Sequence, residues 1–280
     1  MKKEELKEQL QQFLLEQLED EKSQNTLKKY KRNIETFIEW LPDEAEIEKA
    51  IVIDFKRYLL EDLHFRTNTI NNYIISINKF LYWCGVENCK VKQLKKQHAQ
   101  SNSEILSIAD YKRLLRFAKR LGQEDTYLIM KILAMTGIRI EELSFFTVEN
   151  MKTNYIHVRN KGKERSIIIR QDLAREIRQY CRNKGIKEGV IFYCKTKGKL
   201  MAKSTIWRRM QRIAGIARVS KNKVHAHSFR HLFAKAFLDE YNGSIAELAD
   251  ILGHNSIETT RIYAKTTDEE KRRKLERIKF

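Results

Sequence analysis

Proline occurs once and glycine only ten times in 280 residues. A chain so poor in both is no low-complexity or disordered segment, and it reads as helix-rich. Cysteine occurs four times, at Cys84, Cys89, Cys181 and Cys194, with no Cys-x-x-Cys pair. That spacing argues against a disulfide framework or a thiolate zinc site and suits the reduced thiols of a cytosolic protein. No apolar run approaches the roughly 18 residues of a membrane-spanning helix. Met1-Lys2-Lys3-Glu4-Glu5 opens an amphipathic segment, not a signal sequence. Acidic residues are in deficit: 37 Asp and Glu face 55 Lys and Arg, leaving a net charge of +18. An excess of that size suits a polyanion partner, with nucleic acid ahead of an anionic membrane surface.

What is present is enough for ordinary cores, at 42% hydrophobic residues, and the length suggests two domains. Four amphipathic helices are expected in the first 85 or so residues. The first, from Glu5 to about Asp20, carries Leu6, Leu10, Phe13, Leu14 and Leu18 on one face. The second starts at Asn25 or Thr26 and stops before Pro42. The third spans about Ala45 to Glu61, with Ile51, Ile53, Phe55, Tyr58 and Leu59 inward. Thr67 or Asn68 is expected to cap the fourth, which ends at Gly85. A polar, basic stretch from Lys92 to Ser103 then reads as an interdomain linker.

Beyond it, Ser107 and Asp110 precede a helix. A very apolar helix, Tyr127 to Met135, is broken at Thr136-Gly137, and Ile138 to Leu143 starts another. The period then changes to two. Tyr155–Val158 and Ser166–Ile169 read as strands of a hairpin whose tip, Arg159 to Arg165, is polar and basic. Helices are expected from Asp172 to Lys184 and from Ser204 to Arg218, with a short strand, Val190 to Tyr193, between them. A charged tail, Asp268 to Phe280, closes the chain.

Chemistry-bearing side chains concentrate between His227 and Tyr263. His227 and Arg230 are three apart and share a helical face. Arg139 and Glu142 have the same spacing after a glycine break, so the carboxylate can orient the guanidinium and leave it free for a phosphate. His225, His227 and His231 have metal-ligand spacing, but no carboxylate or thiolate is near and an arginine sits among them, so a metal site is not expected. Taken singly, each feature has a plain structural reading: an ion pair, a helix histidine, a glycine helix end at Leu252-Gly253-His254, a packed tyrosine.

Their order changes that. Thr136-Gly137-Ile138-Arg139-Ile140-Glu141-Glu142-Leu143 comes first, followed by a lysine on a β-hairpin. Next comes His227-Ser228-Phe229-Arg230-His231, and then the run from Leu252-Gly253-His254 to Thr260-Arg261-Ile262-Tyr263. These blocks closely resemble the tyrosine recombinase (phage integrase) family, and the resemblance covers almost the whole chain.

The resemblance implies a mainly α fold with a small β-sheet, in two domains forming a C-shaped clamp on double-stranded DNA. Residues 1–91 would be a four-helix, SAM-like core-binding domain, 92–104 the linker and 105–280 the catalytic domain. It implies that Tyr263 attacks the scissile phosphodiester, giving a 3′-phosphotyrosine and a free 5′-hydroxyl. A free phenol titrates near 10, so the attack needs help. Arg139 and Arg230 would hold the non-bridging oxygens and His254 would add a hydrogen bond. His227 would be the general base, Lys161 at the hairpin tip would protonate the leaving oxygen, and Glu142 would position Arg139 and His227. His231 would buttress the site.

No cofactor, ATP or metal is implied. The expected partners are DNA and a homotetramer or a related recombinase, with no membrane and a cytoplasmic location. The helices start almost at Met1, so no extra arm-binding domain is expected. Two other readings remain: a type IB topoisomerase-like nicking and resealing enzyme, and a non-catalytic DNA-binding protein on the same scaffold.

Overall fold

A computed structural model describes residues 1–95, 106–160, 163–194, 199–241, 244–253, 256–264 and 276. The chain divides into two compact units, Met1–Gln100 and Ser101–Phe280.

The first unit is four helices: α1 (Lys3–Glu19), α2 (Gln24–Trp40), α3 (Lys49–Glu61) and α4 (Thr67–Trp83). Each turns one apolar stripe inward. Leu6, Leu10 and Phe13 of α1 meet Ile34, Phe37 and Ile38 of α2 and Ile70, Ile74, Ile77 and Phe80 of α4, all buried. Phe13 packs edge-on against Phe80 at 5.3 Å. Full burial of one such side chain contributes about 1.5–3 kcal/mol.

Local chemistry moves several expected boundaries. Ser23 caps α2 by accepting the Thr26 N–H at 3.3 Å, so the helix starts at Gln24, one residue before Asn25. Helix α3 begins at Lys49, not Ala45, and its inward stripe is Val52, Phe55 and Leu59. That register leaves Ile53 exposed, and on α1 Leu18 is exposed as well. Beyond α4, Asn78 exchanges two hydrogen bonds with the backbone of Val91, and Asn71 two with Leu94. These asparagines tie the start of the expected linker to the first unit. The rest of the linker lies outside the described residues, as does the tail apart from Glu276.

The second unit contains α5 (Ile108–Arg120), α6 (Glu124–Thr136), β1 (Tyr155–Asn160), β2 (Lys163–Ile168) and α7 (Gln171–Lys184). They are followed by β3 (Tyr193–Cys194), β4 (Lys199–Leu200), α8 (Lys203–Ile216), α9 (Ala226–Tyr241), α10 (Ile245–Leu252) and α11 (Ile257–Ala264). Ser107 caps α5, accepting from Asp110 N at 3.0 Å, so Asp110 lies in the first turn of the helix and not before it. Strands β1 and β2 pair antiparallel from Tyr155↔Ile168 to Asn160↔Lys163. The predicted strand at Val190–Tyr193 is different. Only Tyr193 and Cys194 form a strand, paired with Lys199–Leu200, and Val190 makes an isolated bridge to Thr147. Ile138–Leu143 also departs from expectation: Ile140–Phe145 forms 3₁₀ turns instead of an α-helix.

Helix α6 is buried on nearly every side and packs on α9 and α5. It stops at Gly137, whose φ of +63° is a left-handed turn. A Cβ there would lie 2.5 Å from Phe233 and 2.8 Å from Leu252, so only glycine lets α6, α9 and α10 approach this closely.

Candidate active site

The site is built around the carboxyl end of α10. Gly253 ends that helix in a left-handed turn, φ +63°, and leaves its last carbonyls without helical partners. Arginines from three separate elements take three consecutive carbonyls there. Arg165 of β2 donates to Ile251 O at 2.8 Å, Arg230 of α9 to Leu252 O at 2.8 Å, and Arg139 to Gly253 O at 3.1 Å. A helix C-terminus carries partial negative charge, which suits guanidinium donors.

Arg230 is 1% exposed, and its Nη1 donates to Gly137 O at 2.6 Å. Burial, and then Arg139 nearby, pull its value down to about 10, while Tyr263 partly offsets this by charge and by a hydrogen bond. Arg230 therefore stays charged at neutral pH, in contact with the phenol of Tyr263. Tyr263 lies on α11, 8% exposed, in a small cluster with Ala234, Leu248 and Leu252.

Arg139 stands in extended conformation at the start of the 3₁₀ turn. Glu142, 1% exposed, accepts the Arg139 N–H at 2.8 Å and its Nη1 at 3.4 Å. The same carboxylate accepts Arg165 Nη2 at 2.6 Å. Glu142 thus holds Arg139, as its spacing implied, and a second guanidinium besides.

Arg165 was legible only as a basic neighbour of the hairpin lysine. The signal that finds it is alternation along β2. Glu164, Ser166 and Ile168 are exposed, whereas Ile167 and Ile169 are buried. Arg165 shares the inward side of that period-two pattern.

Three rings pack together beside these arginines. His231 stands perpendicular to His227 at 4.7 Å between centroids and packs against Tyr263 at 4.5 Å. His225 caps α9, its Nδ1 accepting the Ser228 N–H at 3.2 Å. Partial desolvation lowers His227 below the ordinary histidine value, and Arg230, His225 and Arg139 lower it further, while the residue itself stays exposed to solvent. Burial, then His227, His225 and Arg230, push His231 down to about 4.

Unfolded His231 takes up its proton near pH 6.5, but the folded ring refuses it until about pH 4. The unfolded state then binds more protons, so stability falls as pH drops through that window. His231 alone can contribute up to about 1.4 kcal/mol per pH unit. Thermal unfolding of wild type and His231→Phe between pH 7 and pH 4 is expected to show a shallower acid loss in the variant. Parallel curves would remove His231 as the cause.

Of the residues singled out in the sequence, Arg139, Glu142, His227, Arg230 and Tyr263 are brought together. Lys161 and His254 lie outside the described residues. Among the described residues, no group of three or more His, Cys, Asp or Glu side chains converges as a metal site would require. No described helix is long and apolar enough to cross a membrane.

The phage integrase family pattern matches residues 104–270, more than half of the chain. The chain belongs to the phage integrase family. The family's N-terminal SAM-like domain matches residues 10–83 of this recombinase as well. The tyrosine recombinase XerA of Pyrococcus furiosus is 28% identical over 268 residues, spanning 91% of this chain and 88% of that one. Two solved structures share the fold. XerH site-specific recombinase bound to its difH substrate gives a TM-score of 0.70 at 17% identity, over 89% of this chain and 78% of that one. A lambda integrase tetramer bound to a Holliday junction gives 0.73 at 16% identity, over 93% and 79%. The protein is thus a tyrosine recombinase, a DNA strand-transfer enzyme.

Proposed function

We propose that the enzyme cuts one DNA strand at a specific site with the Tyr263 hydroxyl, holds it as a 3′-phosphotyrosine, and passes it to a new 5′-hydroxyl. The observation that carries this reading is the Tyr263 phenol hydrogen-bonded to Arg230, a buried guanidinium with Arg139 near it. A phenol placed against fixed positive charge is poised to meet a phosphodiester whose non-bridging oxygens occupy the same forks.

The chemistry follows from the side chains. The phenolic oxygen bonds to phosphorus and the bond to the 5′-oxygen breaks. Negative charge grows on the non-bridging oxygens, and Arg139 and Arg230 stabilise it where it develops. His227, whose lowered value keeps it neutral at pH 7, accepts the tyrosine proton. Family resemblance assigns protonation of the leaving 5′-oxygen to Lys161 and a further phosphate hydrogen bond to His254. The phosphotyrosine keeps the energy of the broken ester, so rejoining needs only a second 5′-hydroxyl and the reverse proton transfers.

In this reading, residues 1–91 bind the duplex, 92–104 connect and 105–280 carry the chemistry. The enzyme works in the cytoplasm, and four subunits, identical or shared with a related recombinase, exchange strands between two duplexes.

The test uses a library of nicked duplexes in which the short 5′-hydroxyl fragment diffuses away after cleavage, trapping the adduct. The expected product is a detergent-resistant complex whose nucleotide maps to Tyr263 through a 3′-phosphate. Selected sites should then support joining between two separate duplexes. An adduct on another residue would overturn the assignment. Resealing without any exchange between duplexes would make the enzyme a nicking-closing one.

A further inference from the structure

We propose that Arg165 is a positioning residue for strand transfer, fixing the fork of Arg139 through the carboxylate and the helix end that the two arginines share. The inference rests on the reading of the site given above. Three observations carry it.

First, both terminal nitrogens of Arg165 are committed to protein acceptors, Glu142 Oε2 at 2.6 Å and Ile251 O at 2.8 Å, and its side chain is 13% exposed. Its fork bridges the Glu142 carboxylate and the end of α10. Arg139, with a side chain 37% exposed, is the member of the pair that faces outward.

Second, Arg139 shares the Glu142 acceptor and uses a carbonyl of the same turn. Glu142 Oε2 takes the Arg139 N–H at 2.8 Å, and Gly253 O, two residues after Ile251, takes its Nη2 at 3.1 Å. Removing the Arg165 fork frees the Glu142 carboxylate to rotate and loosens the turn that supplies Gly253 O. Arg139 would then lose the alignment of both its anchors.

Third, the close approach is built in. A Cβ on Gly253 would sit 2.8 Å from Arg165 Cδ and 2.9 Å from its Nη1. The missing side chain of Gly253 is what admits Arg165 beneath the turn that leads to His254.

The reaction already requires guanidinium charge at the phosphate, and a small misplacement of such a group costs on the order of 100-fold in rate. Lysine cannot replace the planar fork, because one ammonium on a flexible stem cannot span a carboxylate and a carbonyl in the same geometry.

The experiment measures adduct formation by wild type, Arg165→Lys, Arg165→Met and Arg139→Ala on two substrates. One has a normal scissile phosphodiester. The other has a methylphosphonate there, in which a neutral methyl replaces one charged oxygen and the transition state needs less arginine. Arg165→Lys is expected to keep DNA affinity and melting temperature near wild type. Its cleavage of the phosphodiester should fall roughly 100-fold. The defect relative to wild type should shrink at least about tenfold on the methylphosphonate, as it should for Arg139→Ala.

Wild-type rates in both Arg165 variants overturn the proposal. So does a defect of equal size on the two substrates, or one that only tracks lost folded protein, since either marks a purely structural role. Failure of wild type to form a Tyr263 adduct overturns the site reading itself, and this proposal with it. A wild-type adduct with unaffected variants overturns this proposal alone.

Discussion

Tyr263→Phe is expected to fold, to bind DNA as wild type does, and to form no covalent adduct. The ring is 8% exposed among Ala234, Leu248 and Leu252 and packs edge-to-face with His231, contacts that phenylalanine preserves. Only the hydroxyl and its hydrogen bond to Arg230 are lost. One such bond is worth about 1.5–3 kcal/mol when a partner is charged, a loss the fold can bear. The catalytic loss is of another order, because no neighbouring group replaces a deleted covalent nucleophile. A fall on the order of a million-fold is the usual size. Gel-shift affinity together with detergent-stable adducts on a nicked duplex checks both halves. Persistence of the adduct in the variant would mean that another residue attacks.

Glu142→Ala is expected to cost the most stability of any single change at the site, about 3–5 kcal/mol. The carboxylate is 1% exposed and faces two guanidinium groups, Arg165 at 2.6 Å and Arg139 at 3.4 Å. Removing it leaves Arg165, mostly buried, without its counter-charge and also frees the Arg139 N–H. Breaking a buried pair from one side is expensive because the remaining charge stays desolvated. Glu142→Gln keeps an acceptor oxygen but not the charge, and should fall between wild type and alanine. Urea midpoints of the three proteins check the order, and cleavage rates should follow it. Equal midpoints for wild type and alanine would show that water reaches Arg165 and replaces the carboxylate.

Tyr263 stands out because its spacing from Leu252-Gly253-His254 is fixed along the chain. The existence of the helices was legible for the same reason: stripes such as Leu6, Leu10 and Phe13 need only the helical period. Element edges were less so. The cap moved to Ser23, and the inward side of α3 turned from Ile53 to Val52, because capping bonds and packing decide between neighbouring registers. The 3₁₀ form of the turns after Gly137 was hidden, since the Arg139–Glu142 pair makes a capping box, the signature of an ordinary helix start.

The sequence by itself determined the family and the mainly helical class and singled out the residues proposed to bear the chemistry, because each rests on local spacing or composition. Only the tertiary structure decided which arginine serves which acceptor. Arg139, Arg165 and Arg230 are distant in sequence and meet on Ile251, Leu252 and Gly253 because one helix ends in a glycine turn and leaves three carbonyls unpaired. Such a convergence arises from the packing of α6, β2, α9 and α10 around that turn.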